Sequence, residues 1–150
     1  MPTFRTGSEE ETISLGEKLA RELPRGVPVL LIGNLGAGKT TLAKGIVKGL
    51  GAAEPEEVSS PTFTLIHEYP AADAKVSGAQ PRVYHVDLYR LDHAHEAARI
   101  GLEELFESEA VVLIEWGEKF PEILPEQRVE IRITPREGDQ REITVNRIHI

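Results

Sequence analysis

Apolar residues follow distinct rhythms along this chain. Val29-Leu30-Leu31-Ile32, flanked by Pro28 and Gly33, is a continuous apolar run, and so is Val111-Val112-Leu113-Ile114, which ends at Glu115. Short runs of this kind read as strands buried on both faces, as in a parallel sheet. Elsewhere the pattern alternates. Over residues 128–134, Val129, Ile131 and Ile133 face one way and Arg128, Glu130 and Arg132 the other. Residues 141–148 alternate less strictly, and Gly138-Asp139 supplies a turn between these two strands, giving a C-terminal β-hairpin. Residues 62–69 and 82–89 read as a second antiparallel pair, and residues 3–6 as a short edge strand.

Helical spacing fills the gaps. Residues 9–22 place Ile13, Gly16, Ala20 and Leu23 on one face. Ser8 and Glu11 form a capping box at the start, and Pro24 ends the helix. Residues 40–50 form a helix capped by Gly51, and residues 94–107 one interrupted at Gly101. Residues 52–61 and 70–81 read as loops. The expected fold is α/β: a mixed, mainly parallel central sheet flanked by helices.

At 150 residues the chain is expected to be a single domain, residues 1–150, without repeats or linkers. No cysteine is present, so disulfides, thiolate catalysis and Cys-ligated metals are excluded. The N-terminal segment lacks an apolar signal core, and the longest apolar run, residues 27–32, is far short of the ~20 residues of a membrane helix. A soluble, cytoplasmic protein with no membrane partner is expected. Net charge is −8, which disfavours nucleic acid and anionic lipid. That charge is uneven. Residues 24–53 contain no Asp or Glu but hold Arg25, Lys39, Lys44 and Lys48, a +4 island in a −12 remainder. Such an island suits a compact anion, although basic residues also cluster by chance on a helix face.

The island contains Gly33-Asn34-Leu35-Gly36-Ala37-Gly38-Lys39-Thr40, which matches G-x-x-x-x-G-K-[ST] between an expected strand and an expected helix. Successive amides of such a loop converge on phosphate oxygens, and the following helix adds partial positive charge. Gly36 and Gly38 allow the backbone angles and close approach this requires. Residues 34–41, namely Asn34, Leu35, Gly36, Ala37, Gly38, Lys39, Thr40 and Thr41, are therefore the candidate nucleotide-binding segment of a P-loop NTPase domain. Lys39 would reach the β- and γ-phosphates, Thr40 would ligate Mg²⁺ and Thr41 would reach the α-phosphate.

Such a loop needs an acid for the metal and a group to orient water. Glu115 ends a buried strand and is the first candidate. Asp87 lies in His85-Val86-Asp87-Leu88-Tyr89, where alternation puts His85, Asp87 and Tyr89 on one face. That face is either part of a site or a solvated sheet edge. Thr62, in Ser59-Ser60-Pro61-Thr62-Phe63-Thr64, is either a γ-phosphate-sensing residue or an ordinary strand start. His93, His95 and Glu96 invite a metal reading, but they sit where a loop enters a helix, and a solvated helix N-terminus is the better reading. Trp116 either stacks on a base, meets a partner or packs.

Taken in order, Gly33 to Thr41, Ser60-Pro61-Thr62-Phe63-Thr64-Leu65, His85-Val86-Asp87-Leu88-Tyr89-Arg90-Leu91 and Ile114-Glu115-Trp116 resemble the TsaE (YjeE) family, small bacterial ATPases of tRNA threonylcarbamoyladenosine (t6A) biosynthesis. The resemblance implies an ATPase that uses ATP and Mg²⁺ and acts with TsaB and TsaD, resetting or supporting that complex, with tRNA met only indirectly through those partners. It implies functional roles for Thr62, Asp87 and Glu115. Family members commonly have Asp at the position of Asn34 and Pro at that of Gly117; glycine at 117 is expected to loosen the turn after Trp116.

Two other readings remain. A small-molecule kinase would need an arginine-bearing lid, and Arg136 and Arg141 flank a turn, though one that reads as a hairpin. A nucleotide-dependent binding switch with negligible turnover is the other. A GTPase is disfavoured because no N-K-x-D motif occurs. Lys39→Ala is expected to lose Mg-ATP binding or turnover; hydrolysis at the wild-type rate would overturn the assignment of the loop.

Overall fold

Strands β2 (Pro28–Ile32) and β5 (Val111–Glu115) are buried from end to end, as their unbroken apolar runs require. They pair in parallel at the centre of a seven-stranded sheet. This computed structural model describes residues 2–70 and 82–150. Strand β6 (Arg128–Pro135) lies parallel to the other side of β2, and β4 (Val83–Asp87) lies parallel to β5. Antiparallel strands complete both edges: β7 (Arg141–Ile148) and then β1 (Thr3–Thr6) beyond β6, and β3 (Ile66–Tyr69) beyond β4. The order is β1-β7-β6-β2-β5-β4-β3. The sheet is thus mainly parallel with a C-terminal hairpin, β6–β7, as expected.

Alternation along each strand separates two cores. Val29, Leu31, Val111 and Leu113 point to one face and pack under helices α1 (Glu9–Ala20) and α2 (Lys39–Gly49). Leu30, Ile32, Val112 and Ile114 point to the other, where α3 (Ala94–Arg99), α4 (Leu102–Glu107) and the short turns after Trp116 cover them. Gly101, at φ +82°, separates α3 from α4 at the predicted break.

Local chemistry explains the helix ends. The Ser8 hydroxyl accepts the Glu11 amide at 3.1 Å, and the Glu11 carboxylate accepts the Gly7 amide at 3.1 Å. Helix α1 ends at Ala20, two residues before the predicted limit, where the Glu22 amide tightens onto the Leu19 carbonyl at 2.9 Å. Its buried face is also turned from the expected one. Thr12, Leu15, Gly16, Leu19 and Ala20 are buried, whereas Ile13 and Leu23 are only partly covered. The cause is a glycine seam with α2. A Cβ at Gly16 would fall 2.6 Å from the Leu42 carbonyl oxygen, one at Gly49 would fall 2.7 Å from Ala20 Cβ, and one at Gly45 would collide with the Ile13 carbonyl. The helices can touch backbone to backbone only because these positions lack side chains. Helix α2 closes with Gly51 in the left-handed region, its amide on the Lys48 carbonyl and that of Ala52 on the Val47 carbonyl.

Other expectations are corrected. Residues 62–65 are a turn and not the start of β3: the Leu65 amide bonds back to the Pro61 carbonyl at 2.7 Å, and Leu65 takes φ +71°. Strand β4 ends at Asp87, because the Tyr89 amide turns back onto the Asp87 carboxylate. Gly117 does not loosen its turn. It is buried, and a Cβ there would collide with Leu30 Cδ2 and press on Ile114 Cγ2 at 3.0 Å. The predicted loop at 70–81 lies, apart from Pro70, outside the described residues.

Because the seam has no room, Gly45→Ala is expected to lower stability by about 1–3 kcal/mol. Urea unfolding should show a lower midpoint with an unchanged slope.

Candidate nucleotide site

Parallel pairing brings the carboxyl ends of the central strands level. Leu31 pairs with Glu115, and Glu115 with Asp87, so both acids stand beside the loop that leaves β2. Both are buried, and by alternation His85, Asp87 and Glu115 all face the α1/α2 side, where Lys39 and Thr40 begin α2. Asp87 is therefore buried beside the loop and is not on a solvated sheet edge.

The loop turns on the Ala37 amide, which donates to the Asn34 carbonyl at 3.0 Å. Gly36 and Gly38 sit at φ +78° and +109°, a region that favours glycine. Thr40 Oγ1 donates to Glu115 Oε2 at 3.1 Å, and His85 Nε2 contacts the same oxygen at 2.6 Å. A carboxylate only accepts, so that bond places the imidazole proton on Nε2. The Ser60 and Thr62 hydroxyls reach Asp87 Oδ2 at 2.9 and 3.0 Å, while the Tyr89 amide takes Oδ1 at 2.8 Å. Thr62 is thus tied to Asp87 through the turn that replaces the expected strand.

Lys39 is only 5% exposed, and its Nζ has no hydrogen-bond partner among the described residues. The ammonium rests 3.5 Å from the centroid of the Trp116 ring, which in turn lies against Tyr89. Burial pulls the Lys39 ammonium below the usual lysine range, against the opposing pull of the Glu115, Glu118 and Asp87 carboxylates. Burial likewise pushes the Glu118 carboxyl up. Trp116 takes φ +66°, a strained choice for a bulky residue, and Lys119 Nζ pins the neighbouring turn by donating to the Tyr89 and Leu91 carbonyls at 2.7 and 2.8 Å.

Lys39, Thr40, Thr41, Ser60, Thr62, Asp87, Tyr89, Glu115 and Trp116, with Leu35, Gly36 and Gly38, line one open cleft of about 500 Å³. Asn34 and Ala37 shape the loop without lining the cleft, and Leu35 is largely exposed at its rim. Sequence reasoning passed over Glu118, which stands one turn beyond Glu115, and gave no role to Ser60 or His85. The signal for His85 was present: it shares a strand face with Asp87. His93, His95 and Glu96 stay apart from this cleft. Glu96 Oε1 accepts the Asp92 and His93 amides at 3.0 and 2.8 Å, capping α3 as a helix start should.

The chain that carries this site has counterparts among known proteins. The model of the family described as "Threonylcarbamoyl adenosine biosynthesis protein TsaE" matches residues 6–143. The chain belongs to the TsaE family. The tRNA threonylcarbamoyladenosine biosynthesis protein TsaE of Bacillus subtilis is 40% identical over 141 residues, covering 94% of this chain and 82% of that protein. Its namesake from Treponema pallidum is 38% identical, covering 92% and 95%. Among solved structures, Bacillus subtilis YdiB superposes with a TM-score of 0.75 at 34% identity, covering 98% of this chain and 85% of that one. Among the described residues of this TsaE-family chain, no helix is long and apolar enough to cross a membrane.

The unpartnered ammonium has a measurable cost. Lys39→Met, which keeps the apolar stem and the contact with Trp116, is expected to raise the melting temperature at pH 7 by a few degrees, at about 2–4 °C per kcal/mol. The folded-state value of Lys39 lies below its unfolded value of about 10.5, so the cost is full below the folded-state value and fades as pH rises from there to about 10.5. The advantage of the variant should shrink across that window; thermal melts at stepped pH check both the sign and the trend.

Proposed function

We propose that this protein binds ATP with Mg²⁺ and hydrolyses it as a component of t6A biosynthesis, acting in the cytoplasm with TsaB and TsaD. The observation that carries the reading is the buried Lys39 ammonium, unpartnered among the described residues, at the head of a helix beside two left-handed glycines. A cation in that position costs stability unless an anion arrives, and a phosphate chain is the anion that fits a row of loop amides. The names of the relatives supply the pathway.

The donor set also fits Mg²⁺. Thr40 offers a hydroxyl and Glu115 a carboxylate, 3.1 Å apart, both hard oxygen donors. A site of this kind suits a cation held largely by phosphate oxygens and water. When bound, Mg²⁺ neutralises charge on the transferring phosphoryl group. His85 holds the Glu115 carboxylate from behind. Lys39 and the loop amides bind the β- and γ-phosphates, and Thr41 the α-phosphate. Asp87 anchors Ser60 and Thr62, whose hydroxyls face the same cleft, and Asp87 itself orients water as general base or serves as a further metal contact. The cleft is open, so water exclusion and fast turnover require a partner to close it. The acidic character of the chain outside residues 24–53 favours tRNA contact through TsaB and TsaD, and not by this chain.

Purified with TsaB and TsaD, the protein should form a complex and hydrolyse ATP faster than alone; neither complex nor stimulation would remove the functional core of the reading. Glu115→Gln is expected to lower Mg²⁺-dependent turnover by about 10²–10³ while leaving metal-free nucleotide binding in place. Equal turnover for Glu115→Gln and wild type would overturn its role.

A further inference from the structure

Arg141 opens β7, in register with Thr6 of β1 and Pro135 of β6, and so stands on a backbone fixed from both sides. Its side chain leaves the sheet. The Nε–H donates to the Ala37 carbonyl at 2.9 Å, across 104 residues of sequence, while Nη1 donates to the Gln140 carbonyl at 3.0 Å and steadies the fork. Ala37 is fully buried and sits between Gly36 and Gly38, the two left-handed positions of the loop. Arg141 approaches Gly38 closely enough that a Cβ there would lie 3.6 Å from Nε. It lines a second cleft, with Glu9, Thr12, Thr41 and Asp139, and not the cleft that holds Lys39 and Glu115.

A trans peptide is planar, and its C=O and N–H point in opposite directions. Clamping the Ala37 carbonyl toward Arg141 therefore turns the Gly38 N–H the other way, away from Arg141. Gly38, on one side of this peptide unit, has no side chain to resist rotation, so the unit flips more readily than one between two substituted residues. Something outside the loop must hold it.

We infer that Arg141 is a positioning residue for the phosphate loop: by holding the Ala37 carbonyl it aims the Gly38 amide at the bound phosphate. The inference rests on the nucleotide reading above. It assigns Arg141 a task the kinase-lid alternative did not, since the side chain grips the loop and does not swing over a substrate.

Ala37-Gly38 is the only Ala-Gly pair in the sequence. Labelling alanine with ¹³C at the carbonyl and glycine with ¹⁵N therefore gives a single carbonyl–amide correlation that reports on this one peptide unit. In wild-type protein, Mg-ADP should move the Gly38 amide strongly downfield as it donates to phosphate. In Arg141→Ala the free-state Ala37 carbonyl resonance should shift upfield, the nucleotide-induced amide shift should be lost, and Mg-ADP should bind about tenfold to hundredfold more weakly. Millimolar guanidinium should restore part of the binding. Arg141→Lys, which keeps the charge without the fork, should fall between and covers the case in which the alanine variant unfolds. A folded Arg141→Ala or Arg141→Lys with wild-type Gly38 shift and affinity overturns the inference while leaving nucleotide binding intact. Absence of any nucleotide-induced shift in wild-type protein overturns the nucleotide reading itself, and this inference with it.

Discussion

The parallel register of β2, β5 and β4 is the constraint on which the rest depends. Backbone pairing sets Leu31 beside Glu115 and Glu115 beside Asp87, so the loop leaving β2 emerges level with two carboxylates that are distant in sequence. A slip of one residue in β5 would turn Glu115 over to the face of Leu30, Val112 and Ile114, among apolar side chains with nothing to accept from. The alternation that fills two cores thus also fixes the face on which the chemistry stands. Ligand sites at the carboxyl ends of parallel strands follow from this geometry, and the candidate site here lies at the centre of the sheet.

Within that frame the site stores unfavourable energy. The Lys39 ammonium and the Glu118 carboxyl are shifted in opposite senses from the ordinary acid and base ranges: burial lowers one and raises the other, so each is pushed toward its neutral form. Leu65 and Trp116 hold left-handed backbone angles at the ends of the segments that carry Thr62 and Glu115. Both strained residues flank candidate site residues, and the cores on the two faces of the sheet offset the cost. Stability and readiness for an anion are opposed here by construction.

Most of the architecture was legible because apolar runs and alternation decide strand placement, and caps such as Ser8 and Gly51 mark helix limits. The loop of residues 33–40 drew notice for a related reason: its glycines and lysine have little purpose in a bare turn. Other features were not readable, and the cause is tertiary. The rotation of α1 comes from the absence of side chains at Gly16, Gly45 and Gly49, a property of two helices together. The turn at residues 62–65 replaces a strand because Ser60 and Thr62 bond to Asp87, a partner distant in the chain. Glu118 drew no notice since a lone acid in a loop carries no local pattern. Gly117 looked like looseness and is a tight fit.

The long reach between Arg141 and Ala37 bears on how the chain comes off the ribosome. Synthesis delivers the loop first, yet β2 pairs with β5 and β6, and the loop carbonyl finds its guanidinium only after a further 104 residues have been added. At about 5–20 residues per second, several seconds pass with the strand edges of β2 unpaired and the glycine-rich loop unsupported. A nascent chain in that interval exposes an apolar strand to aggregation or chaperone capture. The grip of Arg141 on the loop is therefore a late event in the life of the molecule, acquired on closure of the C-terminal hairpin.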